Sequence, residues 1–281
     1  MKLLLTSSNS LIAKSLHKRL ESKFKMYSLT KDKKAADDQA NMILWDDIIN
    51  HEFDYIVALD SPRSSDLTYS HINSLLRISE QAKYLNHYLR KKENTRLILL
   101  SSVSVLGNVK IIYSHNEVQQ NPDLYGTTKS IQEQILGFDL EQSRIIILRL
   151  PAVLVENAVV HFPSRLRDTL IKNETVTITN PQDNWNACLS ILDLSNLIVD
   201  LVENFQTRHV VQYPHASDEI SFLEVVNYMR LLLASESNII VKDHIYNESG
   251  GVRLIKVPNR INTLSVANSL KQFCELTNQL F

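Results

Sequence analysis

The stretch Tyr125-Gly126-Thr127-Thr128-Lys129 sets a phenol and an ammonium four residues apart, which on a helix is one face. A cation beside a phenol favours the phenolate, and bringing a tyrosine pKa from about 10 to about 7 takes roughly 4 kcal/mol of differential stabilisation. Such a pair can act as an acid or base near neutral pH. The motif is short, and in a chain with ten tyrosines a Y-x-x-x-K can equally be an exposed helical pair. A second reactive group lies upstream, where the apolar run from Arg96 to Leu100 ends in Ser101-Ser102. The carboxyl ends of strands are where open parallel sheets bind ligands, which puts the Ser102 hydroxyl at such a place. The alternative is a strand terminus that satisfies its own backbone groups.

These groups need a scaffold, and the hydrophobic pattern supplies one. Apolar runs of strand length alternate with helix-period segments through the first half, which argues for parallel β-α-β units with helices on both faces of the sheet. Strands are expected near Lys2-Thr6, Lys25-Leu29, Met42-Leu44, Tyr55-Leu59, Arg96-Ser101 and Arg144-Leu148, with helices near Ile12-Ser22, Tyr69-Lys91 and Leu124-Phe138. The long middle helix carries Ile72, Leu75, Leu76, Ser79, Ala82 and Leu85 as its expected sheet-facing stripe. After Pro151 the pattern changes: helices near Ser164-Lys172 and Leu192-Asn204, strands near Thr175-Thr179, His209-Tyr213 and Arg253-Val257, and a capping box Ser221-Phe-Leu-Glu224 opening a helix to about Ala234. Asp243-Gly251 reads as a turn, and the last seventy residues are the least informative. The fold class is therefore α/β, a Rossmann-type doubly wound parallel sheet with a smaller, interleaved C-terminal lobe. The expected division is 1-155 for the sheet domain and 156-281 for the lobe.

Composition narrows the function. Thirty basic against thirty-one acidic residues leave no electrostatic footprint for nucleic acid or an anionic membrane. No apolar run reaches the length of a membrane span or a signal peptide, so a cytoplasmic protein is expected. Cys188 and Cys274 lack the spacing of a metal site and read as buried free thiols, and no metal is expected.

The segment RLILLSSVSVLGN…NEVQQNPDLYGTTKSIQEQIL resembles the core of the extended short-chain dehydrogenase/reductase family of nucleotide-sugar epimerases, dehydratases and reductases. The matching residues are Ser101-Ser102, Val105-Leu106-Gly107, Glu117, Tyr125-Gly126, Lys129 and Glu133, with Leu106 where the family usually has tyrosine. Tyr69 to Leu76 is similar to the family helix that carries an inward-facing Asn, here Asn73, and Ile147 to Pro151 to its R-x-P-like strand exit. Asn184-Trp185-Asn186 followed by Ile191-Leu192-Asp193-Leu194 resembles its W/F-N-x-x-H-x-x-D-L segment. The resemblance implies an NAD(P)-dependent epimerase or reductase acting on a nucleotide sugar. Tyr125 would be the acid/base, Lys129 would hold ribose hydroxyls and lower the tyrosine pKa, and Ser102 would hydrogen-bond the reacting oxygen. Ser104, Arg165 and Asn186 would meet the substrate; an arginine at 165 or 167 could clamp a substrate diphosphate, the alternative being exposed helical arginines. It also implies a homodimer through the helices near Tyr69-Lys91 and Leu124-Phe138.

One part of the pattern is altered. The family's G-x-x-G-x-x-G falls on Ser7, Ser10 and Ala13. The turn expected to meet the pyrophosphate comprises Ser7, Asn9, Ser10, Leu11 and Ile12. Here Ser10 would put a Cβ and a hydroxyl where phosphate should approach the backbone, and Ser7 would be forced toward positive φ. The amides and positive dipole end of the helix would survive these changes, and serine hydroxyls can donate to phosphate. At the second strand, Thr30 is followed by Lys31, with Lys33 and Lys34 nearby, which suits a 2′-phosphate and mildly prefers NADP over NAD; a solvated lysine loop is the alternative. Asp46 resembles the family's adenine-side acid, or is a helix N-cap. Ala58-Leu59-Asp60-Ser61 stands where the family has a small turn lining the cofactor, with Ala58 retained and Leu59 and Asp60 bulkier. The competing reading is a catalytically silent Rossmann-fold binding or regulatory protein with weakened cofactor binding.

Overall fold

The computed structural model describes residues 1–39, 41–59, 70–137, 140, 144–158, 161–205, 211–242, 254–258 and 262–278. Asp60, Ser61, Tyr69, Phe138, His209, Arg253 and the expected turn Asp243-Gly251 lie outside these residues, as do the side chains of His71, Ile72 and Ser74. Elements run β1 (Lys2–Leu5), α1 (Leu11–Leu20), β2 (Lys25–Thr30), α2 (Lys33–Asp38), β3 (Met42–Leu44), β4 (Tyr55–Ala58), α3 (Ser70–Lys91), β5 (Arg96–Ser102), β6 (Ile111–Ile112) and α4 (Leu124–Gly137). They continue with β7 (Ile145–Leu150), β8 (Ala152–Leu154), α5 (Phe162–Ile171), β9 (Val176–Thr179), β10 (Asn184–Trp185), β11 (Cys188–Ser190) and α6 (Ile191–Glu203). The rest are β12 (Val211–Gln212), β13 (Ile220–Ser221), α7 (Phe222–Leu232), β14 (Ile239–Lys242), β15 (Leu254–Ile255) and α8 (Val266–Asn278).

The chain divides into two compact units that alternate along the sequence. The first comprises Met1–Gly107, Pro122–Arg149 and Ser195–Gln212. It holds a seven-stranded sheet in the order β12-β7-β5-β4-β1-β2-β3. Its register places Leu3 beside Met26 and Tyr55, and Leu99 beside Ala58. The order reverses between β1 and β4, and that switch point is where an open α/β sheet leaves a crevice at its carboxyl edge. Both faces are covered, so Leu3, Leu4 and Leu5 of β1 and Leu97, Ile98 and Leu99 of β5 are all buried, as continuous apolar runs require.

Helix α3 faces this core through Ile78, Ala82, Leu85 and Leu89, a spacing of four, three and four. Of the stripe expected from sequence, Ala82 and Leu85 are buried, Leu75 and Ser79 are half-buried and Leu76 is 56% exposed; Ile78 and Leu89 complete the buried face among the described residues. Asn73 is likewise exposed rather than inward-facing; the inward asparagine is Asn86, whose Nδ2 donates to the Ile135 carbonyl of α4 at 2.6 Å. The lysine segment after β2 is a short helix, α2, because the Asp32 carboxylate accepts from the amides of Lys34 and Ala35.

The second unit, Asn108–Asn121, Leu150–Leu194 and Tyr213–Phe281, is built from two-stranded ladders, β8-β11, β9-β14, β10-β13 and β6-β15, with α5, α7 and α8. The capping box at Ser221 and Glu224 forms as expected. Helix α8 was not expected; its signal was the spacing of Val266, Leu270, Phe273 and Cys274, all buried. Both cysteines are buried and unbridged, and burial pushes the Cys274 thiol up to about 11. Among the described residues no helix is long and apolar enough to cross a membrane.

Two histidines of this unit are held neutral. Burial lowers the pKa of His161, whose ring nitrogens meet the Val153 carbonyl and the Ser164 hydroxyl, and of His215, whose Nδ1 meets the Tyr213 carbonyl. With folded pKa values below the unfolded 6.5, the unfolded chain binds more protons as pH falls through that value, so stability is full above about pH 6.5 and declines below it. The thermal midpoint should therefore drop between pH 7.5 and 5.5, and His215→Gln should flatten that slope, as melts across the range would read.

Candidate active site

At the carboxyl end of β5 the chain turns through a 3-10 segment, Val103–Leu106, closed by Gly107 at a φ of 68° that a side chain would strain. The first turn of α4 rests on this segment. A Cβ on Gly126 would stand 2.1 Å from the Ser104 carbonyl oxygen and 2.7 Å from its carbon, so only a hydrogen fits. Asp123 caps the helix: its Oδ1 accepts from the Gly126 amide at 2.7 Å, and its carbonyl from the Thr127 amide. Gly126 thus has a local cause: it lets the helix approach the turn after β5 closely, and one turn on Lys129 reaches the strand itself.

Tyr125 is half-buried and Lys129 is 1% exposed. The Lys129 ammonium donates to the Leu100 carbonyl at 3.0 Å and to the Gln132 Oε1 at 3.2 Å. Ser102 is buried, and its Oγ accepts from the Ser104 amide at 3.1 Å. The backbone-satisfying role weighed for this hydroxyl is therefore real, yet it uses an acceptor lone pair and not the O–H. Beneath these groups Glu133 ties three elements together. It accepts from Arg149 of β7 in a two-pronged contact, Nε to Oε1 at 3.0 Å and Nη2 to Oε2 at 2.7 Å, and from the Ser101 hydroxyl of β5. Ser101 and Glu133 were legible as motif positions; Gln132 and Asp123 were not, although an Asp before an apolar-periodic run is an N-cap signal.

At the switch point, Ser10 is the N-cap of α1. Its backbone is extended, φ −73° and ψ 149°, and its Oγ accepts from the Ala13 amide at 3.1 Å. The strain expected at Ser7 is absent: no residue from Ser7 to Ala13 is among the described residues with positive φ. Serine is tolerated because the turn needs an extended cap rather than a left-handed one. The Leu11 and Ile12 amides precede the helix's first i to i−4 bond, from Lys14 to Ser10, and its first turn carries no acid. Those features fit a diphosphate, with one helix-start amide fewer than an uncapped turn offers. Asn9 is exposed in the same turn. Across the switch point the Thr6 hydroxyl accepts from the Leu59 amide, fixing the exit of β4 beside buried Ala58.

The remaining candidates scatter. Lys31 is exposed after β2, and the neighbouring Asp32 is engaged as the cap of α2. Asp46 is exposed in the 3-10 segment Trp45–Asn50, whose N-cap is Leu44, so the N-cap alternative for Asp46 is corrected. In the second unit Arg165 is exposed on α5, whereas Arg167 is buried against Phe273 and bonded to Asp168 and the Ala158 carbonyl. The Asn186 amide is engaged at both ends by β15, donating to the Ile255 carbonyl and accepting from its amide, each at 2.8 Å. No described group of His, Cys, Asp and Glu could hold a metal ion.

No protein-family model and no curated sequence matches this chain. Its structure does resemble solved proteins. A UDP-glucuronic acid 4-epimerase from Bacillus cereus, in complex with NAD, has a TM-score of 0.76 at 15% identity over 100% of both chains. A dTDP-glucose 4,6-dehydratase from Bacillus anthracis, also with NAD, gives 0.74 at 14% identity over 100% of both. A dTDP-4-dehydrorhamnose reductase from the same organism, with NADP, gives 0.75 at 13% identity over 98% of this chain and 99% of that one. The chain therefore has the α/β Rossmann-type fold of the extended short-chain dehydrogenases/reductases that its motifs resemble.

Substitutions at two positions test the geometry. Gly126→Ala should cost about 3 kcal/mol in urea unfolding, because the helix must back away from Ser104. Ser10→Ala should cost about 1 kcal/mol through the lost cap, and Ser10→Gly only a few tenths.

Proposed function

We propose that the chain is a nicotinamide-dependent epimerase or reductase of the extended short-chain type, acting on a nucleotide sugar. The observation that supports this reading is the packing of α4 at the end of β5: Gly126 sits against Ser104, two residues after Ser102, and the Lys129 ammonium donates to the Leu100 carbonyl. In this reading Tyr125 Oη exchanges a proton with the sugar hydroxyl or carbonyl, and the Ser102 O–H donates to the same oxygen as charge develops there. Lys129 holds ribose hydroxyls and favours the phenolate. The nicotinamide, when bound, supplies the hydride chemistry. Ser7, Asn9, Ser10, Leu11 and Ile12 would hold the diphosphate, Asp46 would lie on the adenine side and Ala58 would line the cofactor. The first unit would take the dinucleotide, with Ser104 as the expected contact to the substrate's sugar; Arg165, exposed on α5, is the expected contact to a phosphate.

Solved proteins of the same fold support a nicotinamide cofactor of either kind, since some were solved with NAD and one with NADP. The preference for NADP rests on exposed Lys31 and on an Asp32 that is engaged as a cap. A cytoplasmic homodimer completes the reading. The second reading, a silent binding protein, is favoured by Ser10, whose hydroxyl competes with phosphate for the Ala13 amide.

Calorimetry with NADH and NADPH on the wild-type chain separates the two, and absence of binding at millimolar cofactor rejects the enzyme. If it binds, Tyr125→Phe should retain the cofactor and lose turnover of UDP- or dTDP-sugars by at least a hundredfold, the usual scale of a lost general acid.

A further inference from the structure

Lys129 and Gln132 lie three residues apart on α4, which makes them neighbours on one face, and both are all but fully buried, at 1% and 2% exposure. The lysine carries a long flexible stem that would otherwise sample many rotamers. Among its partners are the Leu100 carbonyl of β5 and the Gln132 carboxamide, whose oxygens restrain its tip. Leu100 is two residues before Ser102, so these bonds hold the ammonium near the carboxyl end of β5. Both oxygens are neutral. The carboxylate next door, Glu133, is engaged by Arg149 and Ser101. A neutral acceptor orients a cation without cancelling its field, whereas a carboxylate in the same place would offset the charge that favours a phenolate.

We propose that Gln132 is a positioning residue: with the Leu100 carbonyl it aims the Lys129 ammonium, and it thereby sets affinity for the nicotinamide half of the cofactor. The inference rests on the dehydrogenase-type reading of Lys129, and the test separates the two. Gln132→Leu keeps the bulk and removes the acceptor; Gln132→Glu keeps the acceptor and adds a charge; Lys129→Met is the reference. Each is titrated with NADH and with ADP, which lacks the nicotinamide ribose.

Gln132→Leu should weaken NADH about tenfold, the equivalent of one lost hydrogen bond to a charged group, while ADP binds as in the wild type. Gln132→Glu should recover NADH affinity, and the ultraviolet titration of its tyrosines should show one phenol moved to higher pH. A purely structural role would weaken NADH and ADP together, and that result overturns the inference. It is also overturned if Gln132→Leu binds NADH as the wild type does while Lys129→Met does not. Wild-type protein that binds ADP but not NADH overturns the reading of Lys129 and the inference with it. Should Gln132→Leu not fold, Gln132→Glu decides alone, since unchanged tyrosine titration with unchanged NADH binding would remove the role of the neutral acceptor.

Discussion

A backbone carbonyl and a helix meet where only a hydrogen fits between them, and the candidate site depends on that contact. With Gly126 against Ser104, the first turns of α4 lie close to the end of β5, and the Lys129 ammonium reaches the Leu100 carbonyl of that strand. A Cβ there would move the helix and every group it carries. The buried Glu133–Arg149 pair and the Ser101 hydroxyl then lock α4 to β5 and β7. A buried pair of this kind is weak evidence for stability, but removing one partner would strand a charge and cost about 3–5 kcal/mol. Its effect is to fix orientation: the same helix turn that carries Glu133 also carries the acceptor of Lys129.

The other end of the proposed cofactor site obeys a different rule. A helix start has amides without intrahelical partners, and something must satisfy them: a ligand, water or a side chain. In a glycine turn that position is left to the ligand. Here the Ser10 hydroxyl takes the Ala13 amide, so α1 is capped by its own chain. Asp32 repeats the arrangement at α2. Both caps stabilise the apo fold and leave fewer donors and acceptors for a dinucleotide, which ties stability and cofactor affinity to the same residues.

Much of this was legible in the sequence, and the reason differs by element. Buried parallel strands are continuous apolar runs, so β1, β4 and β5 could be placed to within a residue or two, and the shorter apolar runs of β2 and β3 between turn and helix signals were placed as closely. The chemical groups were legible because Tyr125, Gly126 and Lys129 stand at fixed spacing on one helix and Ser102 closes a strand. The stripe on α3 was right at Ala82 and Leu85 and misjudged at Leu76, because several apolar residues crowd that part of the helix, and which of them faces the core depends on how the helix rolls against the sheet. Helix α8 escaped notice because its apolar positions are interrupted by polar ones.

The sequence alone determined the alternation of strands and helices, the proximity of Tyr125 and Lys129, and the replacement of three glycines. These follow from periods of two and 3.6 residues and from residue identity. Tertiary structure decided what those residues do to one another. It made Ser10 an extended cap, turned Asn186 into a clamp on Ile255, buried Arg167 while leaving Arg165 exposed, and gave Lys129 the carboxamide of Gln132. Hydrogen-bond partners are chosen by which groups arrive together without water, and that depends on packing between segments distant in the chain.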